Sequence, residues 1–589
     1  MSFQFTRQRL TGTDLLIERV CEILPGATSW TVLIGMLGLA WWQPVVAAIL
    51  IIAFDLQWLL RLFYMTILLV LSSARLAVER ETDWMARLHE LDSAPVAPPS
   101  RCDTPSSQDR DSLRSLRSLR SPARFVPARS RDVVRRLSAW IYRRALRHAG
   151  TRPRAGSVSH LVIIPVAKEP RPVIEPGIVS LARQQFPARQ ILVVLAVEER
   201  APEAVKQGAE AMRRAYRDQF LDFLVVRHPD GVPGEARVKG ANITHAAKAA
   251  AAYLEALNIP FEQVVVSCFD ADTVVSPSYF ACLTYTFLIS PDRTRASFQP
   301  IPVYHNNIWD VPGFARLMDI GSSFFQLVEA TNPATLVTFS SHSMSFKALV
   351  DVGYWPVDLV SDDSAIFWKS LIHFHGCYRV IPMYVTLSMD VVHAGTWWKT
   401  AVHVYKQKRR WAWGVENFPI VVRGFLATRE IPWSVKLMHL AKLFESHIAW
   451  ATWPFLLTVL GWLPAIFADQ QFSSSVLYYS APRIAGVIFS LASVSLAASI
   501  ILSFCLLPRS PTPHPLLKRL QHIGEWLLVP VVGIVLSAIP ALDAQTRLLA
   551  GKYMEFWVTD KTRSSKAHER ARVVGRPVAV AGRAGLGDG

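Results

Sequence analysis

The sequence predicts an α/β domain with a mostly parallel sheet, set between two blocks of helical membrane segments. Three observations predict it. Short apolar runs alternate with helix-patterned stretches from residue 158 onward. Long apolar runs lie at the two ends of the 589-residue chain. The mean hydropathy is positive, unusual for a soluble protein, and those end runs account for it. Strand and helix alternating at this spacing argue for a doubly wound sheet, whose ligands bind at the carboxyl ends of the strands.

Residues 1–28 read as a cytosolic N-terminus. The apolar block 29–72 is long enough for two spans of about 20 residues each, with Gln43-Pro44 as the turn and Trp41 and Trp42 at an interface. It is too long for a signal peptide and is expected to be retained. Residues 73–157 change character. They contain the Pro/Ser-rich SAPVAPPSRCDTPSSQ, the tandem repeat SLRSLRSLRS, and 14 Arg between Arg110 and Arg154 against only Asp111 and Asp132. This composition predicts a linker that is partly disordered, at least up to about residue 130. An Arg-rich flank beside a span belongs on the cytoplasmic side; contact with anionic lipid is the functional alternative.

Residues 158–435 have soluble character. VSHLVIIPVA (158–167), QILVVLAV (190–197), FLVVRH (223–228) and QVVVSCFD (263–270) read as strands, with helical patterns over 172–186 and 203–220. Over 436–561 the chain turns apolar again. Spans are expected near 449–468 and 483–507, then a segment over 524–542 broken by Pro530 and Pro540. That last segment reads as re-entrant or interfacial, tolerable if packed against protein. Alternatively, AKLFESHIAW (441–450) begins an extra span. The basic tail 562–589 is expected to be disordered.

The net charge of +17 admits nucleic acid, an anionic membrane or an anionic small substrate. Spans put the membrane first. Nucleic acid is the weakest reading, because the Arg excess lies in a low-complexity linker and tail. The six Cys are scattered with no C-x-x-C pair, so neither a zinc site nor a disulfide framework is indicated.

Four short motifs carry chemistry. SCFDADTVVSP ends a strand in Asp270 and Asp272; such a pair can hold a divalent cation that neutralises phosphate oxygens, although by itself it reads more readily as a strand-end turn. VSDDSAIFW places Asp362 and Asp363 at a helix start, either as caps or with one as general base. QKRRW offers Arg409 and Arg410 for pyrophosphate and Trp411 as a stacking face, or else a positive-inside anchor. FWVTDK (556–561) combines an aromatic, a hydroxyl and a cation.

D-x-D, an acidic doublet, Q-x-x-R-W and F-x-V-T-x-K in this order, flanked by spans, resemble the membrane-embedded family 2 glycosyltransferases of the cellulose synthase and hyaluronan synthase type. The resemblance covers roughly residues 158–561 plus the N-terminal spans. It implies a GT-A-type (Rossmann-like) cytosolic domain combined with transmembrane helices. Residue by residue it implies donor contacts from Glu169, from Glu198 or Glu199 where the family prefers Asp, and from Lys239, with Asn242 close by. It implies Mg²⁺ or Mn²⁺ and diphosphate at Asp270 and Asp272. Asp363 would be the base, with Asp362, in the position of the family's Glu, contacting the acceptor. Gln407 and Trp411 would meet the acceptor and Arg410 the diphosphate. Phe556, Val558, Thr559 and Lys561 match a loop that closes over the nucleotide.

The implied activity is inverting transfer of a sugar from a nucleotide sugar, with UDP the expected nucleotide, to a glycan or lipid-linked acceptor. Processive polysaccharide synthesis coupled to translocation is the leading reading. Single addition to a lipid or short glycan is the alternative, and a transporter or scaffold with an inactive domain is the alternative from another class. The expected setting is a bacterial inner membrane, in contact with its lipids, with the catalytic domain cytoplasmic. FWVTDK and residue 411 must then be separated by an even number of crossings.

Overall fold

The computed structural model describes residues 3–8, 10–93, 128–468, 470–508 and 516–555. Two long helices come first, α1 (Gly12–Trp42) and α2 (Pro44–Arg80), separated by Gln43 alone. Pro44 opens α2 because a first-turn residue needs no N–H partner and the proline φ already suits a helix. Both helices run well beyond 29–72. The extra turns are packed on protein. Glu18 of α1 is buried with Arg423 at 2.5 Å. Near the end of α2, Leu69 and Leu76 pack with Ile301, Leu327 and Tyr384.

The stretch expected as linker contains two packed helices, α3 (Trp84–Ser93) and α4 (Ala128–Arg147). Trp84, Leu88 and Leu91 join the main core. Tyr142 of α4 sets its ring 5.8 Å from Trp84 and 5.7 Å from Tyr285, and its hydroxyl donates to Glu79 at 3.1 Å. The arginines of α4 hid an apolar face that needs distant partners to be seen. The tandem repeat lies outside the described residues.

The α/β domain then runs β1 (Ser159–Val166), α5 (Arg171–Ala182), β2 (Ile191–Glu198), α6 (Glu203–Tyr216), β3 (Asp222–His228), α7 (Lys239–Ala256), β4 (Val264–Cys268), β5 (Val274–Val275), α8 (Tyr279–Ile289), β6 (Ala296–Val303), α9 (Gly313–Glu329), β7 (Ser343–Ser345), α10 (Phe346–Asp351), α11 (Asp362–His373), β8 (Arg379–Ser388), α12 (Trp397–Ala412) and α13 (Asn417–Ala427). One sheet has the order β3-β2-β1-β4-β7-β6-β8-β5. The neighbours among β3, β2, β1 and β4 are parallel, as are β6 and β8. β7 pairs antiparallel with β4 and β6, and β5 with β8. The four strands read from the sequence are β1 to β4.

These strands are continuous apolar runs because both faces are covered. The period of two sorts them. Val162, Ile164, Val193 and Leu195 face one core with Ile174 and Ile178 of α5 and Ala209 of α6. Leu161, Ile163, Leu192 and Val194 face the other with Ala246, Ala247 and Ala250 of α7. The alanine face lets α7 lie close against the strands that carry the site.

After the sheet, α14 (Trp433–Thr458) contains Pro454 and bends by 45° at a short break into Leu460–Ile466. The span expected at 449–468 therefore starts earlier and is broken. Val476–Leu506 is one helix, and its Ile488 and Ala492 pack on Leu59 of α2. Residues 516–549 form a helical run interrupted by a 3₁₀ turn at Glu525–Leu528 and a π turn at Ile534–Ala538. Among the described residues, four helices are long and apolar enough to cross a membrane, and up to five if the bent pair is one span. Of these four, Leu520–Leu549 is the most protein-covered, 39% buried over its apolar window against 17–28% for the others.

Candidate active site

The carboxyl ends of β1, β2 and β4 open on a cavity of about 1120 Å³, with α7, α11 and α12 lining it. Glu169 follows β1, Glu198 closes β2, and Asp270 and Asp272 follow β4. Lys239 and Asn242 start α7, Asp362 and Asp363 start α11, and Gln407, Arg410 and Trp411 stand on α12. All of these line the cavity. Glu199 does not: its side chain is 53% exposed and stands 3.8 Å from Lys206. Phe556, Val558, Thr559 and Lys561 lie outside the described residues.

The loop after β4 is held residue by residue. The Asp270 N–H donates to Ser341 Oγ at 3.2 Å, and Ser340 Oγ donates to Asp270 Oδ2 at 2.6 Å. Ser341 sits at φ +60°, a strained place for a non-glycine residue; its hydroxyl also meets Thr273 Oγ1 at 2.9 Å. Gly177 of α5 lets that loop approach, since a Cβ there would stand 2.5 Å from the Thr273 carbonyl. Asp272 is fully buried and accepts the Asp390 N–H at 2.7 Å. Asn306 ties the pair together, donating to the Asp272 carbonyl at 2.9 Å and to Asp390 Oδ1 at 2.8 Å.

Lys239 is the electrostatic centre. Its Nζ lies 3.1 Å from Asp270 Oδ1, 3.0 Å from Asp363 Oδ1 and 3.6 Å from Asp362 Oδ2. Gly240 makes this possible, because a Cβ there would stand 2.1 Å from the Pro356 carbonyl. Burial pulls the Lys239 ammonium down, but the three carboxylates outweigh it and hold it well above the usual lysine value. Burial, then the neighbouring Asp363 charge, push Asp362 above the usual carboxylate range. Glu169 turns back to accept from its own strand end, at 2.8 Å from the Ala167 N–H and 3.0 Å from the Lys168 N–H. Asn242 donates to the Ala196 carbonyl at 2.8 Å and fixes α7 to β2.

On α12 the spacing of Gln407, Arg410 and Trp411 places them on one helical face, and all three line the cavity, as does Gly414 just past the helix. Arg409 turns away to Asp543 at 2.8 Å. Gln407 Oε1 is buried with no hydrogen-bond partner among the described residues. The Trp411 ring is set by Phe339 at 5.6 Å and Tyr304 at 6.3 Å, with Lys408 Nζ 3.7 Å from its centroid. Lys408 in turn is buried and bonded to Asp319 at 3.2 Å and Ser322 at 3.0 Å; burial keeps it below the usual lysine value. Sequence reasoning missed Ser340, Ser341, Asp390, Lys408 and Glu416. Glu416 alone carried a signal, a single acid inside the apolar run WAWGVENFPI, since a buried charge must have partners.

Among the described residues no three or more His, Cys, Asp or Glu are grouped to hold a metal ion. The hard oxygens of Asp270 and Asp272 still fit Mg²⁺ or Mn²⁺, which take one or two carboxylates and complete their shell with phosphates and water. Asp270 is 30% exposed to the cavity. The same cavity extends past α12 to Trp58 and Arg61 of α2, Trp453 and Leu457 of α14, and Ser499. It joins an acidic and basic pocket at the sheet edge to the space between apolar helices.

Residues 265–467 match the model of Glycosyl transferase family group 2. The poly-beta-1,6-N-acetyl-D-glucosamine synthase of Staphylococcus aureus (strain COL) is 29% identical over 166 residues, which are 28% of this chain and 37% of the synthase. The match thus spans little more than a third of that relative's length. Among solved structures, the mannosyltransferase PcManGT from Pyrobaculum calidifontis, in complex with GDP-Man and Mn²⁺, aligns at TM-score 0.36 and 17% identity over 62% of this chain and 94% of its own. TarS 1–349 of S. aureus, in complex with UDP, aligns at TM-score 0.32 and 13% identity over 58% of this chain and 91% of its own.

Proposed function

We propose that this chain, whose residues 265–467 match Glycosyl transferase family group 2, is a transferase that moves sugars from a nucleotide sugar, with UDP the expected nucleotide, to a growing glycan at a membrane. The observation that carries the reading is the single cavity. It starts among Lys239, Asp270, Asp272 and Asp363 at the sheet edge and ends among Trp58, Trp453 and Ser499 between the apolar helices. A donor enters at the first end, and a polymer has a path away at the second.

Asp363 and Trp411 line the same cavity, and Asp363 is assigned to the acceptor hydroxyl. Its carboxylate takes the hydroxyl proton as that oxygen attacks the anomeric carbon and the bond from that carbon to the diphosphate breaks, with inversion. Arg410 and Lys239 face the developing diphosphate charge. Asp270 and Asp272 would hold Mg²⁺ or Mn²⁺, which supplies Lewis-acid stabilisation of the leaving group. Trp411, fixed by Lys408, Phe339 and Tyr304, offers the acceptor a rigid face, and Gln407 Oε1 offers it an acceptor atom. Glu198 and Glu169 flank the position of the nucleotide base. The setting is an integral membrane protein of a bacterial inner membrane with this domain in the cytoplasm, and Phe556, Thr559 and Lys561 are assigned to closing over the nucleotide.

The test is a donor panel. Purified protein in detergent, given Mg²⁺ or Mn²⁺ and a glycan primer, should release nucleoside diphosphate from one nucleotide sugar and yield a ladder of products. A single addition would remove the processive part, and no release from any donor would overturn the reading.

A further inference from the structure

Behind the catalytic turn lies a buried carboxylate that the proposed chemistry does not use. Glu416, just past α12, is fully buried. Its Oε1 accepts the N–H groups of Val360 and Ser361, both at 2.9 Å, and the Ser361 hydroxyl at 2.8 Å. Its Oε2 accepts the Trp413 indole N–H at 2.8 Å and lies 3.1 Å from Arg7 Nη2. Ser361 is the residue before α11, whose first two residues are Asp362 and Asp363. Its hydroxyl is spent on Glu416 and does not cap that helix. The next residue, Asn417, adds bonds at 3.0 Å to the hydroxyls of Ser361 and Ser364.

Arg7 belongs to the short segment that precedes α1. That segment is fastened to the domain. The Thr6 hydroxyl donates to Asp358 at 2.5 Å and the Arg7 N–H to the same carboxylate oxygen at 3.3 Å. Arg423 Nη2 donates to the Thr6 carbonyl at 2.8 Å. The Arg7 guanidinium also lies 4.6 Å from the ring centre of Tyr553, three residues before the FWVTDK motif.

We infer that Glu416, neutralised by Arg7 of the N-terminal segment, is a positioning residue that sets the Asp362–Asp363 turn against the acceptor face of α12. A buried carboxylate with five partners is rigid only while its charge is met. Without Arg7 the carboxylate is left with an uncompensated charge, the grip on Val360 and Ser361 loosens, and Asp363 drifts from Trp411. A displacement of this kind costs rate before donor affinity, because Asp270 is held by Ser340 and Ser341 and Lys239 keeps Asp270 as a partner at 3.1 Å. The inference rests on the proposed function for its kinetic arm only.

The experiment uses the full chain. Arg7→Met is expected to lower kcat about tenfold with UDP affinity in Mg²⁺ unchanged, and Arg7→Lys to recover at least half of the loss. Arg7→Met combined with Glu416→Gln should be no slower than Glu416→Gln alone, since both act on one unit. Independently of turnover, hydrogen exchange at the Val360 and Ser361 amides should quicken in Arg7→Met and stay protected in Arg7→Lys. Unchanged kcat with unchanged exchange overturns the inference. So does a parallel fall of kcat and UDP affinity in both Arg7 variants. If the wild type turns over no donor, the proposed function fails, and the exchange result alone decides this inference.

Discussion

The site contains two acidic pairs, and they are built differently. Asp270 and Asp272 follow a strand, with one residue between them; Asp362 and Asp363 are adjacent at a helix start. All four line the cavity, but in each pair one member is partly exposed to it and the other is buried in its wall. Asp270 is 30% and Asp363 27% exposed, whereas Asp272 is fully buried and Asp362 3% exposed. The buried members differ. Asp272 is anchored by the Asp390 N–H, so its charge is supported by the backbone. Asp362 shares Lys239 with two other carboxylates and is pushed upward by burial and by Asp363. One pair sets a partly exposed carboxylate on a backbone-anchored one. The other sets a partly exposed carboxylate beside one that burial pushes toward its neutral form.

The largest expected effect breaks the second pair. Asp363→Asn should lower transfer by about 10²–10⁴-fold, the usual worth of a general base, with UDP affinity unchanged in a titration. Asp362→Asn mimics the protonated form that burial already favours and should cost no more than about tenfold. Equal losses in the two variants, measured as diphosphate release, would erase the distinction and put the base at Asp362 or at neither.

The first pair predicts a split between binding and stability. Asp270→Ala should abolish Mn²⁺ binding to the protein–UDP complex, read by electron paramagnetic resonance, and leave the thermal midpoint nearly unmoved. Asp272→Ala should also lower stability by about 1.5–3 kcal/mol, the usual worth of a hydrogen bond to a charged group, read as a lower midpoint in detergent. A stable Asp272→Ala protein would mean that the Asp390 contact does not anchor the loop.

The sheet edge was legible because its signal is local. Runs such as QILVVLAV are apolar on both faces, and their ends place Glu198 or Glu199, and Asp270 and Asp272, at the sheet edge, while the roles given them came from the family resemblance. The α12 face was legible too, because the spacing of Gln407, Arg410 and Trp411 survives in a helix. What escaped depends on partners far along the chain. The early turns of α1 carry Glu18, which a hydropathy reading excludes from an apolar helix. Its partner Arg423 lies some four hundred residues away. The face of α4 is apolar only once Trp84 and Tyr285 are placed beside Tyr142. Glu416 sits in no motif, and the backbone groups it holds belong to another segment.

The smallest expected effect sharpens the contrast from outside the site. His160 of β1 is fully buried; among the described residues it is bonded to the Thr284 hydroxyl at 2.8 Å and to no charged group. Burial lowers it to about 3, so the fold keeps it neutral. Because the folded value lies below the unfolded one of about 6.5, this contribution to stability is fully present above pH 6.5. It is lost as the pH falls toward 3. Between pH 7 and pH 5 the loss amounts to about 2 kcal/mol. Thermal midpoints in detergent should therefore fall further over that interval for the wild type than for His160→Gln, which cannot take the proton. The activity of the two at pH 7 should match, because His160 packs on Phe186 and Phe280 and does not line the cavity. Equal pH dependence of the two midpoints would mean that this interior tolerates an unpaired charge. Lys239 would then lose its standing as the group that makes three neighbouring carboxylates affordable.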